Sequence, residues 1–335
     1  MRIAELTAWH LRIPLKKTVR HASRVRRETD SLVVRCRLED GIEGWGEGLP
    51  REYVTGETIE TAVAQLDATD LIGQLSGRID GIDDAIRRLS DFSLSELPGD
   101  DDPPRRDCFG NAARCAVEVS VLDAVTRACE VPFSRITSHV AETIDIRQEA
   151  SSARYSLVFT PTRRWKVRLR GSLLRLFGFH QAKVKVGVGD VDDAAFLGLV
   201  RRWAGPKVDL RLDANEAWTC EDLVERLSPL VRHGVTSLEQ PVPHSQVEGL
   251  AEIRKDLDVL LMLDESLCSI GDAHRAIERA TCDLFNIRLS KCGGFLNSLR
   301  LAALAHQSGL GYQLGCQVGE TGILSAAGRH FATSV

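Results

Sequence analysis

The sequence predicts an α/β protein in which a barrel of parallel strands follows a smaller α+β domain. Three observations predict it. First, short apolar runs recur through the second half of the chain, and each stops at a charged or amide residue: Lys185, Asp213, Glu239, Asp264, Lys291 and Gln317, in steps of 25 to 28 residues. A strand of about 5–6 residues, a helix of about 11–12 and two short loops fill such a unit. Repeated βα units imply a parallel sheet, and a polar residue at the C-terminal end of each successive strand points to a (β/α) barrel. Second, the first half reads as strands followed by helices, without that period. Third, 335 residues are long for one domain. The division expected is 1–130 and 131–335.

The first half opens with strands over 2–15 and 31–48, the second run broken by the hairpin signal Asp40-Gly41. The polar stretch Lys16 to Thr29, with His21 in it, reads as a loop of functional length. A second loop, Pro50 to Gly56, carries Tyr53 and Val54 and precedes a helical pattern from Ile59 to Leu71. The Pro- and Asp-rich segment Asp91 to Asp107 reads as a connection. The small-residue, largely apolar run Ala112 to Ala128 suits a buried helix joining two domains.

The barrel would begin with a strand over Ala153–Phe159 and a helix over Arg163–Phe179. Strands are expected at 181–187, 207–213, 235–239, 258–264, 283–290 and 311–316, and a last helix at Ile323–Ala332. No eighth strand is visible, and a closed barrel needs one, so the first and seventh strands are expected as edges.

Composition excludes several classes. Hydrophobic content of 43% and charged content of 27% are ordinary for a globular protein. A net charge of −4 gives no footprint for nucleic acid. The basic clusters Arg24–Arg27 and Arg163–Arg170 read as solvated faces, since acids balance them elsewhere. No apolar run of about 18 residues exists, so no membrane span is expected. The N-terminus lacks an apolar signal core. Nine cysteines without a CxxC pair suggest free thiols and a cytoplasmic location.

Chemistry concentrates at the strand ends. In Gln181–Gly187, Val184 and Val186 share one face, and Lys183 and Lys185 the other. Lysines on an apolar strand are costly unless needed there, or unless the strand is a solvated edge. Asp213, Glu239 and Asp264 end three consecutive strands, whose neighbours lie about 4.7–4.9 Å apart. Three anions so close repel unless a cation sits among them. Oxygen ligands favour Mg²⁺ above all, with Mn²⁺ the second choice. Helix capping would account for one such acid but hardly for three in succession. Asn215, on the strand parity of Asp213, reads as a helper to the metal or ligand, or as a turn residue. Glu265 would face away in a regular strand, to bond a lysine or cap a helix. Lys183 and Lys185 lie to one side of the acids and Lys291 to the other. That arrangement suits proton abstraction beside a carboxylate, with the cation drawing the base's pKa toward neutrality.

Taken together, Lys183-Val-Lys185, Asp213-Ala-Asn215, Glu239-Gln-Pro241, Asp264-Glu265 and Ser290-Lys-Cys-Gly-Gly294 resemble the enolase superfamily. More narrowly, they resemble its muconate-lactonizing-enzyme subgroup of muconate cycloisomerases, dipeptide epimerases and o-succinylbenzoate synthases. A metal between basic groups, stabilising an enediolate, is the arrangement already described for such sites.

The resemblance spans nearly the whole chain and implies a (β/α)7β-type modified TIM barrel behind an α+β capping domain. It implies Mg²⁺ on Asp213, Glu239 and Asp264, Lys185 and Lys291 as the acid/base pair, and Lys183 on the substrate carboxylate. The loops around His21 and Tyr53, together with Asn215, Glu265, Gln317 and Glu320, would contact the substrate. The expected activity is cycloisomerisation or epimerisation of a small carboxylate. Elimination of the o-succinylbenzoate-synthase kind, or a non-catalytic relative that only binds metal or carboxylate, are the alternatives. A homo-oligomer is compatible with it. The first barrel unit, rich in arginine over Arg163–Arg175, departs from the family pattern, and the loop after an eighth strand is not present.

Overall fold

The computed structural model describes residues 1–20, 25–97 and 105–335. Strands β1 (Ile3–Arg20), β2 (Val25–Leu38) and β3 (Glu43–Gly48) form an antiparallel sheet in that order. The stretch expected as a long loop from Lys16 is mostly strand. After a register shift between Pro14 and Val19 the β1–β2 ladder resumes, pairing Val19 with Arg26. Pro14 has no N–H to donate, so pairing breaks there and recovers beyond it. His21 lies outside the described residues.

The glycines of β3 set how this sheet is covered. Gly44, Gly46 and Gly48 fall on one face, and a Cβ on Gly46 would sit 2.0 Å from the Ala116 carbonyl oxygen. The helix Asn111–Ala128 therefore lies directly on the strand backbone, its own small residues Ala112, Ala113, Ala116 and Ser120 fully buried. This is the buried helix expected from composition.

Two helices begin at a glycine with no side-chain cap, a third has only the Thr321 hydroxyl, and a glutamate from elsewhere completes each. Glu57 accepts from the Ala112 N–H at 3.0 Å at the start of Asn111–Ala128. Glu118, on that helix, accepts from the Leu296 N–H at 2.9 Å, where the helix Phe295–Gln307 starts after Gly294. Glu47, on β3, accepts from the N–H groups of Thr321 (2.9 Å) and Leu324 (3.1 Å) at the start of the helix Gly322–Ser334. Each carboxylate meets orphan N–H groups at a positive helix end.

The second half is a seven-stranded parallel sheet in sequential order: β4 (Ser156–Phe159), β5 (Gln181–Lys185), β6 (Asp209–Asp213), β7 (Val235–Glu239), β8 (Leu260–Leu263), β9 (Leu284–Ile287) and β10 (Gly311–Leu314). All seven expected strands are present, most of them shorter than the apolar runs that announced them. The sheet curls as a half-barrel with β4 and β10 as its edges; among the described residues no eighth strand pairs with either. The first unit is the least covered. Its helix, Arg164–Leu176, packs Val167, Gly171 and Leu174 inward and leaves Trp165, Leu169 and Leu176 exposed. Among the described residues no helix is long and apolar enough to cross a membrane. All nine cysteines are free.

Candidate active site

The ladder aligns the strand ends. Lys185 pairs in register with Asp213, and Asp213 with Glu239. Alternation turns Ala182 and Val184 of β5 into the core and leaves Lys183 and Lys185 on the inner face. Asp213, Glu239 and Asp264 are all buried, at most 1% exposed.

Cationic side chains lie between these acids. Lys183 Nζ donates to Asp213 Oδ2 (3.2 Å) and Glu239 Oε1 (2.6 Å). Lys185 Nζ lies 2.9 Å from Asp213 Oδ2 and donates to Asn215 Oδ1. Across the site, Arg288 donates to Asp264 Oδ2 and lies 3.7 Å from Glu239 Oε1. Asn286 Nδ2 donates to Glu239 Oε1 at 2.8 Å. Lys291 Nζ donates to Asp264 Oδ1 (3.0 Å) and to the backbone carbonyls of Asn286 (2.9 Å) and Asp264.

Burial works against charge on all of these groups, and neighbours decide the outcome. Burial would raise the Asp213 pKa, but Lys183 and Lys185 outweigh it and hold the carboxyl below its ordinary range. Burial opposes the Lys183 charge, yet Asp213 and Glu239 keep its pKa above the usual lysine value. Burial, reinforced by the Arg288 charge, pulls Lys291 below that value.

Asn215 and Glu265 join the site. Asn215 leaves β6 with a positive φ of 45° and donates to Glu265 Oε1 at 3.2 Å. Glu265 would have faced away in a regular strand, but β8 ends at Leu263 and the chain bends, so its side chain turns in. Tyr53 sits half-buried on Val54, Cys108 and Cys268, with the Arg26 guanidinium 5.6 Å from its ring centre. Its loop is tied to the barrel by Arg106, which donates to the carbonyls of Val54 (3.0 Å) and Glu265 (3.1 Å). Gln317 and Glu320 form a turn after β10. Burial lifts Glu320 to about 7, and the Arg288 and Arg51 charges act on it.

Sequence reasoning missed Arg288 and Asn286. Their signal was the one used for the β5 lysines: polar Asn286 and Arg288 alternate with apolar Phe285 and Ile287. It also missed Arg51 and Arg106, whose partners are largely backbone carbonyls.

Among the described residues, no three carboxylates, imidazoles or thiols form a preassembled metal cluster. Lys183 and Arg288 hold the intervening positions. The donor chemistry nonetheless fits a hard divalent cation: three buried carboxylates, strung together by two shared cationic side chains, offer only oxygen.

A β-sheet capping region, a parallel half-barrel and acid and lysine side chains at the strand ends define an enolase-type enzyme. Known proteins agree. A family described as Enolase C-terminal domain-like matches residues 169–335. An L-Lys-D/L-Arg epimerase from Methylococcus capsulatus is 30% identical, over 99% of this chain and 87% of the relative. A hydrophobic dipeptide epimerase from Enterococcus faecalis is 29% identical, over 100% and 88%. The crystal structure of the dipeptide epimerase from Enterococcus faecalis V583, complexed with Mg and the dipeptide L-Leu-L-Tyr, superposes with a TM-score of 0.83 at 26% identity, over 100% and 88%. The chain belongs to the enolase superfamily, in its mandelate racemase/muconate-lactonizing branch, and its relatives there are isomerases.

Proposed function

We propose that the protein is a Mg²⁺-dependent epimerase that inverts the carbon beside a carboxylate in a dipeptide or related acylated amino acid. The observation that carries this reading is the strand order. Lys185 on β5 and Lys291 beyond β9 bracket the three acids at the ends of β6, β7 and β8. A substrate carboxylate held at the acids would present its α-carbon between two amines, one on each face. One amine takes the proton and the other returns a solvent-derived proton to the opposite face.

Asp213, Glu239 and Asp264 would hold the Mg²⁺. When bound, the ion offsets negative charge that builds on the substrate carboxylate. Lys183, already directed at Asp213 and Glu239, would orient that carboxylate. Asn215, hydrogen-bonded to Lys185 and Glu265, would fix where the Lys185 amine points. The relatives named as dipeptide epimerases favour epimerisation over cycloisomerisation or elimination.

The test is a dipeptide panel incubated in D₂O with wild type, Lys185→Ala and Lys291→Ala. Wild type should racemise and incorporate deuterium from both stereoisomers. Each variant should lose racemisation and keep exchange for at most one stereoisomer. Full racemisation by either variant would sink the two-base assignment.

A further inference from the structure

Among the described residues, Arg51 is the largest buried cationic side chain that the proposed chemistry does not use, at 2% exposure. Its donors go to three separate parts of the chain. Nη1 donates to the Pro50 carbonyl at 2.8 Å. Nη2 donates to Thr29 Oγ1 at 3.0 Å and to the Val318 carbonyl at 2.9 Å. Thr29 lies near the start of β2. Val318 stands between Gln317 and Glu320 in the turn after β10. Arg51 itself leads into the short helix Glu52–Thr55 that carries Tyr53.

The approach is close. Gly319 has a φ of 96°, and a Cβ there would meet Thr29 Oγ1 at 2.4 Å. Thr29, Arg51 and the 318–319 backbone therefore pack as one unit. A planar fork of fixed geometry suits this task, since its donors cannot move independently.

We propose that Arg51 is a positioning residue for substrate selection. Its one guanidinium holds the start of β2, the Tyr53 helix and the β10 turn in a single relation, and that relation decides which distal group on the substrate is accepted. The proposal rests on the epimerase reading. Arg106 anchors the Val54 end of the same loop independently, to Glu265 and Asp272. Loss of Arg51 should therefore loosen the three segments relative to each other while leaving the loop attached.

The experiment has one arm that does not depend on activity. In the full chain with Arg51→Met, amide hydrogen exchange should rise together in 26–31, 52–56 and 316–321, by about tenfold, while 181–185 and 209–213 stay unchanged. Thr29→Val, which deletes one acceptor, should give the same pattern more weakly and serves if Arg51→Met does not fold. A rise confined to 52–56, or one spread evenly over the barrel strands, overturns the proposal. In the second arm, dipeptides differing only in the distal side chain are compared. The ratio of best to worst kcat/KM should shrink by about tenfold or more in Arg51→Met, recover in part in Arg51→Lys, and leave Mg²⁺ affinity alone. An equal loss on every dipeptide overturns it. If wild type turns over no dipeptide, the epimerase reading fails, and the exchange pattern alone decides whether Arg51 couples the segments.

Discussion

Replacing the two bracketing lysines should separate their structural roles. The Lys291 side chain is fully buried and its amine donates to Asp264 Oδ1, the Asp264 carbonyl and the Asn286 carbonyl. Lys291→Ala removes all three bonds, although the Asp264 carbonyl keeps the Leu267 N–H at 3.0 Å. Breaking one partner of a buried ion pair costs about 3–5 kcal/mol. Asp264 keeps Arg288 beside it, which places the expected loss near the lower figure, about 3 kcal/mol. The Lys185 side chain is 23% exposed, and its partner Asp213 keeps Lys183 at 3.2 Å. Water can replace the Lys185 amine, so Lys185→Ala should cost about 1 kcal/mol or less. Urea unfolding of the metal-free protein, followed by circular dichroism at several wavelengths, reads the difference. Equal losses, agreeing within about 0.5 kcal/mol, would refute the view that Lys291 is locked by the scaffold while water can take over the Lys185 contacts.

Two further outcomes are expected. Asp213→Asn should weaken Mg²⁺ binding by about 10–100-fold or more in titration calorimetry while circular dichroism stays that of the wild type; unchanged affinity would remove Asp213 from the metal set. Burial lifts Glu57 from 4.5 to about 7, so the folded state holds this proton more tightly than the unfolded chain does. The stability that Glu57 contributes is present below pH 4.5 and is lost as pH rises through about 7. The difference in unfolding midpoint between wild type and Glu57→Gln should therefore drift against wild type from pH 4.5 to 7.5, and a constant difference would count against it.

Much of the site could be read from the sequence because its residues break a pattern. An acid at the end of an apolar run, as at Asp213 or Glu239, stands out. So does a pair such as Lys183 and Lys185 alternating with core valines. Arg288 is as readable by that rule, but Lys291 stands beyond the end of β9 and marks the unit more visibly. Arg51 and Arg106 were not readable at all. Their partners include backbone carbonyls 267 and 159 residues away, and every sequence offers carbonyls everywhere. The stretch from Lys16 to Thr29 misled for a related reason. Its polarity suggests a loop, whereas pairing with a neighbouring strand, which is a tertiary property, extends β1 to Arg20 and begins β2 at Val25.

The glutamates at the helix starts bear on how such proteins can be recombined. Glu47 and Glu118 belong to the N-terminal region, yet the helices they complete, Gly322–Ser334 and Phe295–Gln307, belong to the barrel. A chimera that joins this N-terminal region to another barrel must bring a helix start to meet each carboxylate. Without one, among the described residues Glu47 keeps only the Ser31 hydroxyl at 2.6 Å, and Glu118 loses the Leu296 N–H. In the reciprocal chimera, this barrel would carry two helix starts whose N–H groups face an apolar seam. The two halves are thus matched parts, and a crossover point chosen for surface exposure alone leaves buried polar groups unmatched unless both glutamates travel with the helices they serve.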